Sequence, residues 1–318
     1  QVKAAASQHG LEVQKVIDLD KFDADKLVMG HPPEAGLGII SFLNVLEGES
    51  ALLTKAGRGL DAIEEEILAN GTDEEKECLH YVLYEEAGSS EKTFQNGWKR
   101  DCHKETGKVL DSRQVDDANA PGGKRGMRFS DFLVCAVAVF CHLSGSDVFA
   151  LRYYTTAGYK GINWPLRDPV RREQKKPHKL PVLVYYLASA VKKLRAWAAN
   201  GVDAQSTVIL YRGMSNREIF DTFMEMGGTE LAPMSTTADL SIALHYSQGP
   251  SGTISTLLWI RTESFMDRGV DLEFLSAFPH EKEFLYPPLS YLKPLGKKPI
   301  VLQIGSSIYQ IVELKISM

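Results

Sequence analysis

The sequence predicts an α+β protein, with a helical first part followed by a strand-rich part. Three observations carry this expectation. Up to about residue 200 the apolar residues recur at helical spacing. From Ser206 onward they gather in short runs rich in β-branched and aromatic residues. The two patterns do not alternate along the chain, as they would in a wound parallel sheet. With 318 residues, 44% of them hydrophobic, there is material for a substantial core.

The elements follow in order. Leu60, Ile63 and Ile67 form one helical stripe, closed by Asn70-Gly71. Thr72, followed by acidic residues, opens a second helix that stops before Gly88. Asp111 to Gly126 is polar and rich in turn formers, so it reads as a linker or long loop. "SDFLVCAVAVFCHL" and "SGSDVFALRYYT" read as two helices. The apolar run from Phe132 to Leu143 is too short for a bilayer and is expected to be a buried core segment. A long amphipathic helix has Pro181 near its start, Leu183, Leu187, Val191 and Leu194 on one stripe, and Asn200-Gly201 at its end. Strands are expected in "STVILYRGM", "GTISTLLWIRT", "EFLYPPLSYLKPL" and "IYQIVELKIS". Between them lie a helix with a capping box at Ser215 and Glu218 and another capped by Asp239.

Composition excludes several classes. A formal net charge of -5 gives no reason to expect nucleic acid or membrane as the main partner. Four cysteines in so long a chain do not make a disulfide framework. Cys78-x-His80 and Cys102-His103 do not have the spacing of a four-ligand zinc site, so no metal is expected. The basic run from Arg167 to Lys179 lacks interleaved aromatics and reads as a solvated loop between helices. No phosphate-binding Walker loop, GxGxxG or GxSxG pattern occurs. A chain that starts at Gln1 reads as a fragment or processed form of a soluble protein, cytoplasmic or secreted.

Three polar features interrupt the strand-rich half: Arg212 in "LYRGM", the run Ser235-Thr236-Thr237, and the pair Glu281 and Glu283. Each has an ordinary explanation alone, as a snorkelling arginine, a turn or a solvated strand face. In an extended strand Glu281, Glu283 and Leu285 would share one face. Core building gives no reason for two like charges side by side.

Together and in this order, the three features resemble the Arg-Ser-Glu type of mono-ADP-ribosyltransferase, the group of clostridial binary toxins and vertebrate ecto-enzymes. "YYTTAGYKGINWPLR", "YRG", "STTADLSIALHYS" and "LSAFPHEKEFLYPP" follow in family order, and the similarity covers roughly Arg128 to Met318. The resemblance implies that family's fold: a helical part, then two packed, mostly antiparallel sheets enclosing an NAD cleft. It divides the chain into a helical region 1–120 of unknown role and a catalytic domain 121–318. It implies NAD as substrate and an arginine on a protein as acceptor. On it, Glu283 is the catalytic carboxylate beside the ribose and Ser235 orients it. Arg212 binds the diphosphate, and the backbone at Gly213 holds the nicotinamide amide. Tyr246 packs on the nicotinamide, and Tyr154, Tyr159 and Asn163 contact NAD. Glu281 goes with arginine as acceptor. Phe278 matches a position that meets the protein substrate and reads equally as a hydrophobic plug. The third hydroxyl, Thr237, departs from the family's Ser-Thr-Ser. Arg217 and Gly249 fall where some toxins carry further NAD-contacting residues. Two alternatives stand beside this reading: an NAD glycohydrolase using water, and an inactive interaction module that keeps the fold.

Overall fold

The computed structural model describes residues 13–15, 49–88 and 123–318, apart from 169, 172–173, 175, 202–203, 216–218, 220, 249–253, 297 and 305–306. The boundary expected at 120/121, Cys102-His103, Arg217, Gly249 and most of the Asp111–Gly126 linker lie outside the described residues. The chain divides into two units, each assembled from separate segments: residues 36–197 with 271–280, and residues 1–35 with 198–270 and 281–318.

The first unit is helical. Helix α1 spans Glu49–Ala56, α2 Leu60–Asn70 and α3 Asp73–Tyr84. Then come α4 Phe129–Leu133, α5 Ala136–Phe140, α6 Gly145–Tyr154, α7 Tyr159–Arg167 and α8 Pro181–Ala198. Two starts are set by reciprocal caps. Thr72 and Glu75 close a capping box on α3, and Ser144 and Asp147 close one on α6. Each satisfies backbone donors that a helix start leaves open.

The apolar run from Phe132 to Leu143 departs from expectation. It is not one buried segment but two short helices, broken at Val134-Cys135. Phe132, Ala138 and Cys141 are buried, whereas Val134, Val139 and Phe140 are 72%, 54% and 65% exposed. Short helices joined by a turn bury one side each, so an uninterrupted apolar run must expose the rest.

Arg152 is almost fully buried in this unit, its guanidinium carbon 4.1 Å from the Phe132 ring centroid and 5.7 Å from that of Tyr81. Its Nη1 donates to the Leu275 carbonyl at 2.9 Å, and the Thr155 hydroxyl accepts from Ala277 N at 3.0 Å. The C-terminal end of α6 thereby anchors the segment 271–280. Glu75 receives Lys179 Nζ at 2.5 and 2.6 Å, an ion pair made largely out of water.

The second unit carries the sheet. Its strands are β1 Val13–Lys15, β2 Val208–Ser215, β3 Gly228–Glu230, β4 Met234–Thr237 and β5 Ile254–Thr262. They continue with β6 Val270–Asp271, β7 Glu283–Tyr286, β8 Ser290–Pro294, β9 Ile300–Ile304 and β10 Ser307–Ser317. Helix α9 spans Asp221–Met226 and α10 Leu240–Ser247. Ser215 ends β2 rather than capping a helix, and its expected partner Glu218 lies outside the described residues.

The ten strands form one hydrogen-bonded network in the order β1-β9-β10-β5-β2-β4-β7-β6. Off this path, β8 pairs with both β10 and β3. The β10–β5 ladder is parallel, while β1–β9, β9–β10, β8–β10, β3–β8, β2–β5, β2–β4 and β4–β7 are antiparallel. The α+β class holds, and the layers expected as two sheets are joined through β10. Period-two alternation sorts the core into two clusters. Leu210, Leu258, Ile260, Val312 and Leu314 pack with Phe223, Met224 and Leu292. Tyr211, Leu257, Trp259, Tyr309 and Ile311 pack with Leu240, Ala243 and Leu244 of α10. The expected strand "EFLYPPLSYLKPL" is two strands, because Pro287 and Pro288 offer no ladder donor and Leu289 turns the chain at φ 65.

Candidate active site

The second unit brings together six of the residues singled out in the sequence. β2 contributes Arg212 and Gly213, β4 contributes Ser235, α10 contributes Tyr246, and the approach to β7 contributes Glu281 and Glu283.

The two glutamates do not share a strand face. Glu281 ends a 3₁₀ turn over Pro279–Glu281, Lys282 follows at φ 47, and the strand starts only at Glu283. A left-handed residue between them breaks the alternation on which the shared face depended. Their surroundings differ accordingly. Glu283 is 6% exposed, while Glu281 is half-buried and its Oε1 accepts the Tyr246 hydroxyl at 2.6 Å. Two carboxylates in unlike environments are suited to unlike roles.

The hydroxyl run holds this turn in place. Thr236 Oγ1 donates to the Phe284 carbonyl at 2.8 Å and Thr237 Oγ1 to the Glu281 carbonyl at 2.5 Å. The same Thr237 oxygen accepts from Asp239 N at 2.9 Å, and Ala238 N donates to the Lys282 carbonyl at 3.3 Å. Nothing in the sequence marks Thr236 and Thr237 as positioning the glutamates. The nearest signal was three hydroxyl residues ending an apolar strand, where side-chain oxygens readily bond nearby backbone.

Register sets where the hydroxyls stand relative to Glu283. Thr237 stands directly opposite Glu283 in the β4–β7 ladder, and Ser235 opposite Leu285. Ser235 is therefore the diagonal neighbour of Glu283 on one face, at a separation of about 7–8 Å in such ladders. The Ser235 carbonyl accepts from Arg212 Nη1 at 2.6 Å, which ties Arg212 to β4. Alternation along β2 groups Arg212 with Leu210 and Met214, and Gly213 with Tyr211.

Gly213 has a packing reason of its own. A Cβ there would lie 1.7 Å from the Ala243 carbonyl oxygen and 2.9 Å from Ser247 Cβ, so only glycine lets α10 lie this close to β2. The result is a fixed relation between the strand of Arg212 and the helix of Tyr246.

The other four residues belong to the helical unit. Asn163 is buried and donates from Nδ2 to the Tyr154 hydroxyl at 3.1 Å. The Tyr154 and Tyr159 rings lie 6.1 Å apart at 53°. Phe278 is half-buried, in edge contact with His280 at 6.2 Å. Two further titratable groups in this unit are buried: His178 is lowered to about 4 and the Cys78 thiol raised to about 12, each mainly by loss of solvation. Cys78 and His80 do not converge, one being buried and the other exposed and paired with Glu85. Among the described residues no group of three or more His, Cys, Asp or Glu is placed to hold a metal, and no helix is long and apolar enough to cross a membrane.

No family model and no curated protein matches the chain. Among solved structures it is similar to exoenzyme S from Pseudomonas aeruginosa, solved with human 14-3-3 protein beta and carba-NAD. That match has 19% identity, covers 58% of this chain and 86% of that one, and has a TM-score of 0.38. The ADP-ribosyltransferase HopU1 of Pseudomonas syringae matches at 18% identity over 58% of this chain and 85% of that one, with a TM-score of 0.41. A variant of the eukaryotic mono-ADP-ribosyltransferase ART2.2, in complex with NAD, matches at 18% identity over 54% and 66%, with a TM-score of 0.37. Two of these neighbours are named as ADP-ribosyltransferases, and likenesses this distant assign no activity.

Proposed function

We propose that the protein is a mono-ADP-ribosyltransferase that moves ADP-ribose from NAD to an arginine side chain of another protein. The observation that carries the reading is the Glu281–Glu283 pair, one carboxylate buried in the ladder and one held at the preceding turn by Thr237 and Tyr246.

The chemistry follows from these environments. The bond between ribose and nicotinamide breaks with its electron pair going to the nicotinamide nitrogen, which leaves neutral, and the ribose carbon is left cationic. A buried carboxylate acts strongly on that developing charge, because little water screens it. Glu283 takes this role. Arg212 offers a planar donor fork for the diphosphate, a match that a lysine would not reproduce. The guanidinium acceptor is protonated near neutral pH and is a poor nucleophile until oriented and relieved of a proton. Glu281 does both: it accepts hydrogen bonds from the incoming guanidinium, and it takes the proton released as the new carbon–nitrogen bond forms.

The test is incubation with adenylate-labelled NAD and a protein extract. Label bound to protein through arginine supports the proposal. Label released only as free ADP-ribose supports the glycohydrolase reading, and NAD that neither binds nor reacts supports an inactive module.

A further inference from the structure

We infer that the Tyr246 hydroxyl is a positioning group that selects arginine over water as acceptor, by fixing the Glu281 carboxylate. The inference rests on the proposed transferase reading and deepens it. The resemblance in the sequence gives a role only to the Tyr246 ring; its hydroxyl has none.

Glu281 is held at two points. Its carbonyl accepts from Thr237 Oγ1 at 2.5 Å, which fixes the main chain, and its carboxylate accepts from the Tyr246 hydroxyl at 2.6 Å. The second bond is short because its acceptor is an anion, and such bonds are about twice as strong as neutral ones. A glutamate side chain at a turn otherwise samples several rotamers and spends little time in any one of them. The phenol, on a ring that is 36% exposed, narrows that freedom. Its own position is set by α10, which Gly213 allows against β2, where a Cβ would meet Ala243. A functional carboxylate is thereby supported from a regular element rather than from its own loop.

The selectivity follows from what each acceptor needs. Water is small and can attack the cationic ribose carbon without an oriented base. A guanidinium must be turned and deprotonated, so it depends on an anion in one place. Loosening Glu281 therefore penalises transfer more than hydrolysis.

The experiment uses Tyr246→Phe, which keeps the ring and deletes the oxygen, with agmatine as the guanidino acceptor. The readout is the ratio of ADP-ribosylated agmatine to free ADP-ribose, with kcat and KM measured for each substrate. A hydrogen bond to a charged group is lost, so the ratio falls by about ten- to a hundredfold. The fall resides in kcat for transfer, with a smaller change in KM for NAD. The same substitution in a Glu281→Ala background causes no further fall, since the hydroxyl then has nothing to orient. An unchanged ratio in an active enzyme overturns the role of the tyrosine. A further fall in the double variant shows that the hydroxyl acts elsewhere and also overturns it. A wild-type protein inert toward NAD overturns the transferase reading beneath it, a different outcome from either.

Discussion

Thr237→Val tests whether the hydroxyl run positions the carboxylates. The substitution keeps shape and deletes one oxygen. That oxygen donates to the Glu281 carbonyl at 2.5 Å and accepts from Asp239 N at 2.9 Å, and Thr237 is 6% exposed. Two hydrogen bonds are lost at once, each with a net value of about 1 kcal/mol, and partners left short of water add further cost. The expected destabilisation is about 2–4 kcal/mol, read as a lower denaturant midpoint at unchanged slope. Because the oxygen fixes the Glu281 main chain, transfer to agmatine falls more than NAD hydrolysis does. Two results would refute the reasoning: a midpoint unchanged within error, or equal losses in both reactions. The first would mean that the hydroxyl does not clamp the turn, the second that the clamp has no bearing on Glu281.

Gly213→Ala places a Cβ 1.7 Å from the Ala243 carbonyl, so α10 must move; we expect about 2–4 kcal/mol of destabilisation in denaturant melts. Arg152→Ala removes a buried side chain that fills space between Phe132 and Tyr81 and donates to Leu275, at a cost of about 3 kcal/mol. Limited proteolysis then cuts within 271–280 faster than in the wild type. His178 is held neutral in the folded state, its value lowered to about 4 from 6.5 by burial. Between those values the unfolded chain binds the proton and the folded chain does not, so stability falls as pH drops from about 6.5 to about 4. Integrated over that window the loss is about 3 kcal/mol, and His178→Gln flattens the profile in pH-resolved urea melts.

The class of fold was legible because it depends on local period. The switch from helical spacing to β-rich runs after Gly201 is written in single residues, as are the caps at Thr72, Ser144 and Asp239. What escaped the sequence depends on partners. Ser235 and Thr237 are indistinguishable as hydroxyls, and only the β4–β7 register puts Thr237 opposite Glu283. The separation of Glu281 from Glu283 turns on one left-handed residue, Lys282, a backbone state with no marker in a residue type that rarely adopts it. The exposure of Val139 and Phe140 escaped for a related reason: an unbroken apolar run has no polar face to show which side is out. The reason for Gly213 was visible only once α10 lay against it.

The most direct measurement is a paired assay of Glu283→Gln and Glu281→Ala with labelled NAD and agmatine. The account has one acid splitting NAD and its neighbour preparing the guanidine. Neutralising the buried Glu283 should lower both nicotinamide release and transfer by at least about a hundredfold. Removing Glu281 should lower transfer by about a hundred- to ten-thousandfold, leaving a measurable residual rate, while nicotinamide release falls far less. Full transfer activity in the Glu283 variant, or equal losses of both reactions in the Glu281 variant, would contradict that division between the two side chains.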